Sequence, residues 1–564
     1  MSNSEIVEII ELTTKLLELH AENEFKIKNY SIAAYNLDKV TQELALLTVA
    51  ELAGLQGVGK SMAVKIEEIV KTGQLTELNE LIVKTPEGVI EMFKIKGIGS
   101  KKIRLIWTEL NITDTRELLL ACQNGEVAKL KGFGEKIQAA IIESILFNQL
   151  NASKLRMDKA EVFANEILIK LKGYFDEDIE IVGQIPRKSQ VVDLIQFLIK
   201  SDFPIQIQSK LQNLDFLVQT IADSSPFIWR GCVVGSHIPI EIIASKPIDF
   251  EQNKLIYNAT EVHLAFNFGG STLLSKTKSL KFENDFEFYQ QIGLPFIIPS
   301  RREGVGEFEW FKHYNIDDLI QTEDLKGVLH NHSTYSDGQH TLKLMADYCL
   351  SNGYEYFGIA DHSKSATYAK GLSEEKVFEQ FKEIDEINKS YQNFRILKGI
   401  EADILGDGNL DYDADVLKHF DYVVASVHSN LKMNEEKAMS RVIKAIENPY
   451  TTILGHPTGR VLLTREGYPI NHKKVIDACA ANNVVIELNA SPYRLDIDWR
   501  WIPYCLEKGV MISINPDAHE MKGIHDMNYG VAIAQKGGLV SNMTLNAKSL
   551  DEILVFLSKK SAIV

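Results

Sequence analysis

Hydrophobic positions fall into three successive patterns along the chain, and each predicts a different kind of structure. Over residues 1–150 apolar residues recur every three to four positions, as in SEIVEIIELTTKLLEL, which predicts an almost wholly helical region. Over 155–320 the runs IEIVGQI, FPIQIQ, FIWRGCVV, IPIEIIA and VHLAFNF are short and partly alternating, which predicts strands of a mixed sheet with a few helices between them. From 325 onward short apolar runs such as YFGIADH, YVVASVH and TTILGH alternate with amphipathic stretches such as TLKLMADYCLSNG and EEKVFEQFKEIDEINKSY. Strand–helix alternation of that kind predicts a parallel, barrel-like β/α domain. The acidic connection YNIDDLIQTEDLKG (314–327) marks the main boundary.

In the third region most apolar runs lead into a potential metal ligand. In order these are His330, His332 and Asp337 (HNHSTYSDG), His362 (ADHS), Glu401 (GIEAD), His428 (ASVHS), His456 (LGHPTGR), and Asp517 with His519 (PDAH). Ligands at the ends of successive strands converge on one face of a barrel. Nine nitrogen and oxygen ligands are too many for one ion and suit two or three. Imidazole mixed with carboxylate fits Mn, Zn or Fe better than a pure Ca or Mg site. Such ions about 4 Å apart suit phosphoester hydrolysis, one activating a water and another steadying the leaving oxygen. Glu401 is the best bridging carboxylate, and with Asp337 it is placed among the catalytic candidates. Arg460 and Arg494 are candidates to hold the phosphate. Asp361 and Asp403, beside ligands, are candidates to orient imidazoles. His340, His419, His472 and His525 lie outside any such motif and read as ordinary histidines.

The helical region carries its own repeat. LQGVGKSMAVKIEEIV, IKGIGSKKIRLIWTEL and LKGFGEKIQAAIIESI share an apolar-x-Gly-apolar-Gly turn followed by a helix. The glycine pairs Gly57/Gly59, Gly97/Gly99 and Gly132/Gly134 permit a tight turn, and the helix start behind each offers free N–H groups to an anion. Lys60, Lys101 and Lys136 follow at or just after the glycines. This resembles the helix–hairpin–helix element, which grips DNA phosphates without reading sequence.

Charge sharpens that reading. The net charge is −16 and no region is basic overall, so contact with DNA must be local, through backbone amides, small lysine clusters and metal ions. The five cysteines form no CxxC pair or disulfide framework, the first residues are acidic and helix-periodic rather than a signal peptide, and no apolar run approaches a membrane span of about 18 residues. A reducing cytoplasm is the expected location.

Taken in this order, the whole chain resembles the bacterial family X DNA polymerases, which join a DNA polymerase beta-like half to a C-terminal PHP (polymerase and histidinol phosphatase) domain. The resemblance implies five domains: a small helical DNA-end-binding domain (1–85), helical fingers (86–152), a palm-like nucleotidyltransferase domain (153–248), a thumb-like domain (249–318) and a PHP domain (325–564) folded as a distorted (β/α)7 barrel. It implies that the nine residues hold a multinuclear centre, commonly with manganese, that trims DNA 3′ ends in the 3′–5′ direction. It also implies a monomer acting on gapped, nicked or 3′-end substrates. Lys65 falls where the polymerase beta group carries a Schiff-base lysine, although its place in an amphipathic helix suits a solvated or phosphate-contacting lysine.

The palm departs from the family pattern of G-S-x-R-R, D-x-D and a third Asp. In VGQIPRKSQVVDLIQFLI, Gly183 and Arg187 stand, Gln184 and Pro186 replace Ser and the first Arg, and Asp193 matches the first carboxylate with one residue deleted before it. Ile195 then occupies the second carboxylate position and Glu241 the third, while Gly270–Ser271 match the nucleotide-binding GS pair. Losing a ligand shared by two Mg ions, at about 2.7–4 kcal/mol per such contribution, implies that templated synthesis is weak or lost. The alternatives are a bifunctional gap-filling polymerase with exonuclease, and a small-molecule phosphatase of the histidinol-phosphate kind, for which the three hairpins have no use.

Overall fold

The computed structural model describes residues 1–40 and 42–561. They form two compact units, Met1–Ala152 and Ser153–Val564.

The first unit is helical throughout the described residues. Its core gathers one stripe of each helix, including Ile6, Ile10, Leu16, Ala63, Ile66, Ile103 and Ile106. The three glycine turns share one geometry. Gly57, Gly97 and Gly132 have φ of 76°, 85° and 84°, a left-handed conformation that glycine adopts without cost. Gly59, Gly99 and Gly134 then N-cap the helices Lys60–Thr72, Ser100–Leu110 and Glu135–Asn151, and none of these ends is capped by a side chain.

The second unit begins with a five-stranded mixed sheet. In spatial order its strands are Ile179–Gly183, Ile195–Lys200, Ile240–Ser245, Ile228–Val233 and Leu217–Gln219; only the second and third pair in parallel. Helices Met157–Lys172 and Pro204–Leu211 cover one face, against Ile195, Phe197, Ile199, Ile240 and Ile242. Of the runs expected as strands, one is a helix and another is strand only in part. FPIQIQ forms the helix Pro204–Leu211, with Pro204 in the first turn where its missing N–H costs nothing. VHLAFNF opens in the helical turn Glu261–Leu264 and contributes only Asn267–Phe268 as strand.

From Gly327 seven strands run parallel and in sequence order: Gly327–Val328, Tyr356–Ile359, Arg395–Asp403, Tyr422–Ser426, Ile453–Leu454, Val485–Asn489 and Ile512–Asn515. A bridge between Asn331 and Ala518 brings the first and last strands together, so the sheet is nearly closed. Its interior is filled by Leu329, Leu397, Tyr422, Val424 and Ile453, and the C-terminal helix Leu550–Ser561 seals one end with Ile553 and Leu557. Each of those two buried side chains contributes about 1.5–3 kcal/mol. A Cβ on Gly399 would lie 2.2 Å from the Tyr422 ring, so that strand carries glycine where the ring crosses it. With one end plugged, only the C-terminal ends of the strands are left to build a site.

Candidate metal centre

All nine side chains picked from the motifs meet at that open end. They fall into four overlapping groups: His332, Asp337, His362 and His519; His330, His332 and Asp517; His330, Glu401 and His456; His362, Glu401 and His428. Within each group the ligand atoms lie within 4.8 Å of one another. Glu401 is central. Its Oε1 is 3.2, 3.1 and 3.0 Å from Nε2 of His330, His428 and His456, and its Oε2 is 2.9 Å from Nδ1 of His362. One carboxylate therefore faces imidazoles on both oxygens, as a bridging group must. His330 and Asp517 hold φ of 61° and 54°; left-handed backbone at non-glycine residues is strain of the kind that collects at working sites.

The donor set fits cations better than it fits itself. Nε2 of His330, Nδ1 of His332, His362 and His456, and Oε2 of Glu401 are buried with no hydrogen-bond partner, although oxygens and nitrogens face one another at about 3 Å. Each unpaired buried group costs about 1–3 kcal/mol, a cost that ions between them remove.

Protonation shows the same tension. His330 is raised well above the ordinary histidine range: burial opposes the charge, but Glu487, Glu401 and Asp517 outweigh it. His428 is likewise raised, to about 10, against burial by Glu401 and Asp403. His332 is pushed down to about 3 by burial and by its neighbours His519 and His362. Despite burial, the surrounding imidazoles hold Glu401 and Asp517 well below the usual carboxylate range. Cations entering this array would displace protons from the raised histidines.

A second layer fixes the imidazoles. Asp403 accepts from Nδ1 of His428 at 2.5 Å. Glu487, on the strand Val485–Asn489, faces Nδ1 of His330 at 2.6 Å and accepts from the backbone N–H of His456 at 3.0 Å. The motif reading missed Glu487; its signal was an acidic residue inside the otherwise apolar run VVIELN. Asp361 holds no imidazole among the described residues. It accepts from the N–H and hydroxyl of Ser333 and from Gln380, each at 2.7 Å, and so fixes the HNHSTYSDG loop.

The two candidate phosphate arginines separate. Arg494 lies with Nε 3.5 Å from Oδ2 of Asp517, and its side chain makes no hydrogen bond among the described residues. Arg460 is turned into the loop instead, donating to the carbonyls of Arg494 (3.0 Å) and Leu495 and to Asp498 at 2.8 Å. Its fork is spent on holding the segment that presents Arg494, a correction to its expected part. His340, His419, His472 and His525 join none of the four groups.

Among the described residues, no palm carboxylate joins a candidate metal-ligand group. Register pairs Gln196, not Ile195, with Glu241. Ile195 is buried against the covering helices, so the residue expected at the second carboxylate position faces the wrong side of the sheet. On the opposite face Gln196 donates to the buried Glu241 at 2.6 Å, and Arg230 pairs with Glu241 at 2.6 Å. Asp193 accepts from Gln184 at 2.7 Å. Arg187 donates to the Tyr257 carbonyl at 2.9 Å and faces Glu303. Gly183, at φ 84°, donates its N–H to Asn258 at 3.0 Å, and a Cβ there would lie 2.1 Å from Gln196 Oε1. Gly270–Ser271 lie in a separate turn after Asn267–Phe268.

In the helical unit Lys60, Lys101 and Lys136 are exposed at their helix starts. Lys65 lines a cavity of about 570 Å³ beside the first hairpin. Its ammonium is held by Glu77 and, at 2.6 Å, by the Tyr30 hydroxyl.

A helix-hairpin-helix domain family matches residues 1–75, and a PHP domain family matches residues 329–491. The DNA polymerase/3′-5′ exonuclease PolX of Bacillus subtilis (strain 168) is 32% identical over 577 residues, spanning 99% of this chain and 100% of its own. The chain belongs to the PolX family. The second and third hairpins, Asp517 and His519 lie outside the two matched ranges but inside the PolX alignment. Probable phosphatases of Thermoanaerobacter sp. (strain X514) and Acetivibrio thermocellus are 26% and 30% identical, but they cover only 39% and 34% of this chain. No helix among the described residues is long and apolar enough to cross a membrane.

Proposed function

We propose that this PolX-family chain is a DNA-end-processing nuclease. On this reading the barrel hydrolyses phosphodiesters from the 3′ end, and the polymerase half delivers DNA more than it extends it. The observation that carries the proposal is the convergence of nine N/O side chains, with buried nitrogens unpaired, on one open barrel end. Two or three divalent ions fit that donor set, manganese first, with zinc or iron as alternatives. When bound they supply an activated water and positive charge for the leaving 3′-oxygen.

The chain's own residues do the rest. Glu401 spans the centre and offsets repulsion between cations. Glu487 and Asp403 fix the orientation of His330 and His428. Asp337 and His519 line the outer edge, where Asp337 Oδ1 and His519 Nε2 are 3.4 Å apart. Arg494 supplies guanidinium donors for the phosphate. The hairpin amides behind Gly59, Gly99 and Gly134, with their exposed lysines, hold phosphates of gapped, nicked or 3′-ended DNA through local contacts, consistent with the acidic net charge. A phosphatase for small esters is the weaker reading, because the probable phosphatases match only the barrel and the PolX relative matches the helical unit as well.

The test is digestion of 3′-labelled single-stranded and gapped DNA with added Mn, wild type against His332→Ala, with gap filling assayed in parallel. Nucleotide release by wild type alone, with little extension, supports the reading. Equal release by both proteins discards the site, and robust gap filling discards the loss of synthesis.

A further inference from the structure

The segment after His362 closes on itself. Leu372 N–H donates to the His362 carbonyl at 2.8 Å, Gly371 N–H to Ala366 at 3.0 Å, and Thr367–Ala369 form a single 3-10 turn. Lys370 ends the turn at φ 56°, a left-handed conformation costly for lysine. At the tip stands Tyr368, 70% exposed, its ring centroid 6.1 Å from that of His362. Its hydroxyl makes no hydrogen bond among the described residues. The phenol is raised in pKa, first by desolvation of its inner edge and then by the charges of Asp403, Glu401 and Asp337. The ring thus stands at the rim of the centre on a short, hydrogen-bonded turn, with little burial of its own.

Tyr493 is also half-exposed on the barrel. Its face is taken by the Arg156 guanidinium, 3.6 Å from the ring centroid. Among the described residues Tyr368 has no such cover. Lys370, two residues on, is exposed and makes no ion pair among the described residues. An open aromatic face followed by an uncommitted cation is the pairing that single-stranded nucleic acid uses, base on ring and phosphate on charge. A paired terminal base is held in place by its complement, whereas an unpaired one turns freely onto a ring.

We propose that Tyr368 forms a nucleobase subsite that stacks an unpaired 3′-terminal base at the metal centre, with Lys370 holding a neighbouring phosphate. This rests on the nuclease reading and names the side chains that would receive the terminal nucleotide.

The experiment compares wild type, Tyr368→Phe and Tyr368→Ala as full chains in two assays. In the first, Mn-loaded protein degrades single strands ending in a normal nucleotide or in an abasic one. Tyr368→Ala raises KM about tenfold on the normal end with kcat little changed, Tyr368→Phe matches wild type, and all three converge on the abasic end. In the second, metal-free protein binds a strand with 2-aminopurine at its 3′ terminus. Wild type and Tyr368→Phe change its fluorescence through stacking, and Tyr368→Ala does not. Equal behaviour of wild type and Tyr368→Ala in the fluorescence assay overturns the subsite. An equal loss by Tyr368→Ala on normal and abasic ends also overturns it, since the ring would then be supporting the centre. If wild type releases no nucleotide at all, the nuclease reading fails, and the fluorescence assay still decides the subsite.

Discussion

Glu487 and His330 form a fully buried pair, Oε2 lying 2.6 Å from Nδ1. The contact leaves Nε2 of His330 as the nitrogen that faces Glu401. Carboxylates behind ligating imidazoles fix both tautomer and ring orientation, and their loss costs about 10–100-fold in metal affinity or activity. Glu487→Gln keeps the shape and removes the charge. Titration with Mn monitored by calorimetry should show affinity weakened within that range, with the fold intact by circular dichroism.

Arg494 and Arg460 should differ in kind. Arg494→Ala removes a guanidinium beside Asp517 and should lower kcat on DNA about 10²–10³-fold with little change in melting temperature. Arg460→Ala breaks three hydrogen bonds that pin the Arg494 loop. At about 1 kcal/mol each, it should lower the melting temperature by several degrees as well as the rate. Scanning calorimetry beside steady-state kinetics separates the two.

On the face of the palm sheet opposite Ile195, buried Glu241 is the carboxylate that Gln196 and Arg230 engage. Restoring one acid there, by Gln196→Asp, should still give no robust gap filling with Mg, because Arg230 remains to neutralise Glu241. Efficient single-nucleotide filling by wild type would show that another carboxylate serves.

Asp526 sets a pH dependence of stability. Burial, then the charges of Asp158 and Glu520, raise its carboxyl from 3.8 to about 7. Between those values the folded state binds the extra proton, so this group's contribution to stability falls as pH rises from about 4 to 7 and stays low above. Asp526→Asn should therefore match wild type near pH 4 and melt higher than wild type at pH 8. Thermal melts across that range check the sign.

Much of this was legible in the chain. The ligands could be read because most follow or close a short apolar run, and parallel strands in sequence order deliver such residues to one end. The hairpins could be read because glycine at positive φ leaves a mark that few other residues can. Glu487 stayed hidden inside a strand, where only its pairing with His330 gives it meaning. The palm register was misread because a one-residue slip moves a side chain to the opposite face, and only pairing with Ile240–Ser245 shows that Gln196 holds the place assigned to Ile195. Arg460 and Arg494 look alike in sequence, and only tertiary hydrogen bonds tell the loop brace from the group at the site.

The most direct measurement is the metal content of the full chain after Mn loading and desalting, wild type beside Glu401→Ala, by mass spectrometry of the elements. Two or three ions per wild-type chain, with most lost in a variant that still folds, is the result predicted. One ion or none in wild type, or the same content in both proteins, would contradict a shared multinuclear centre.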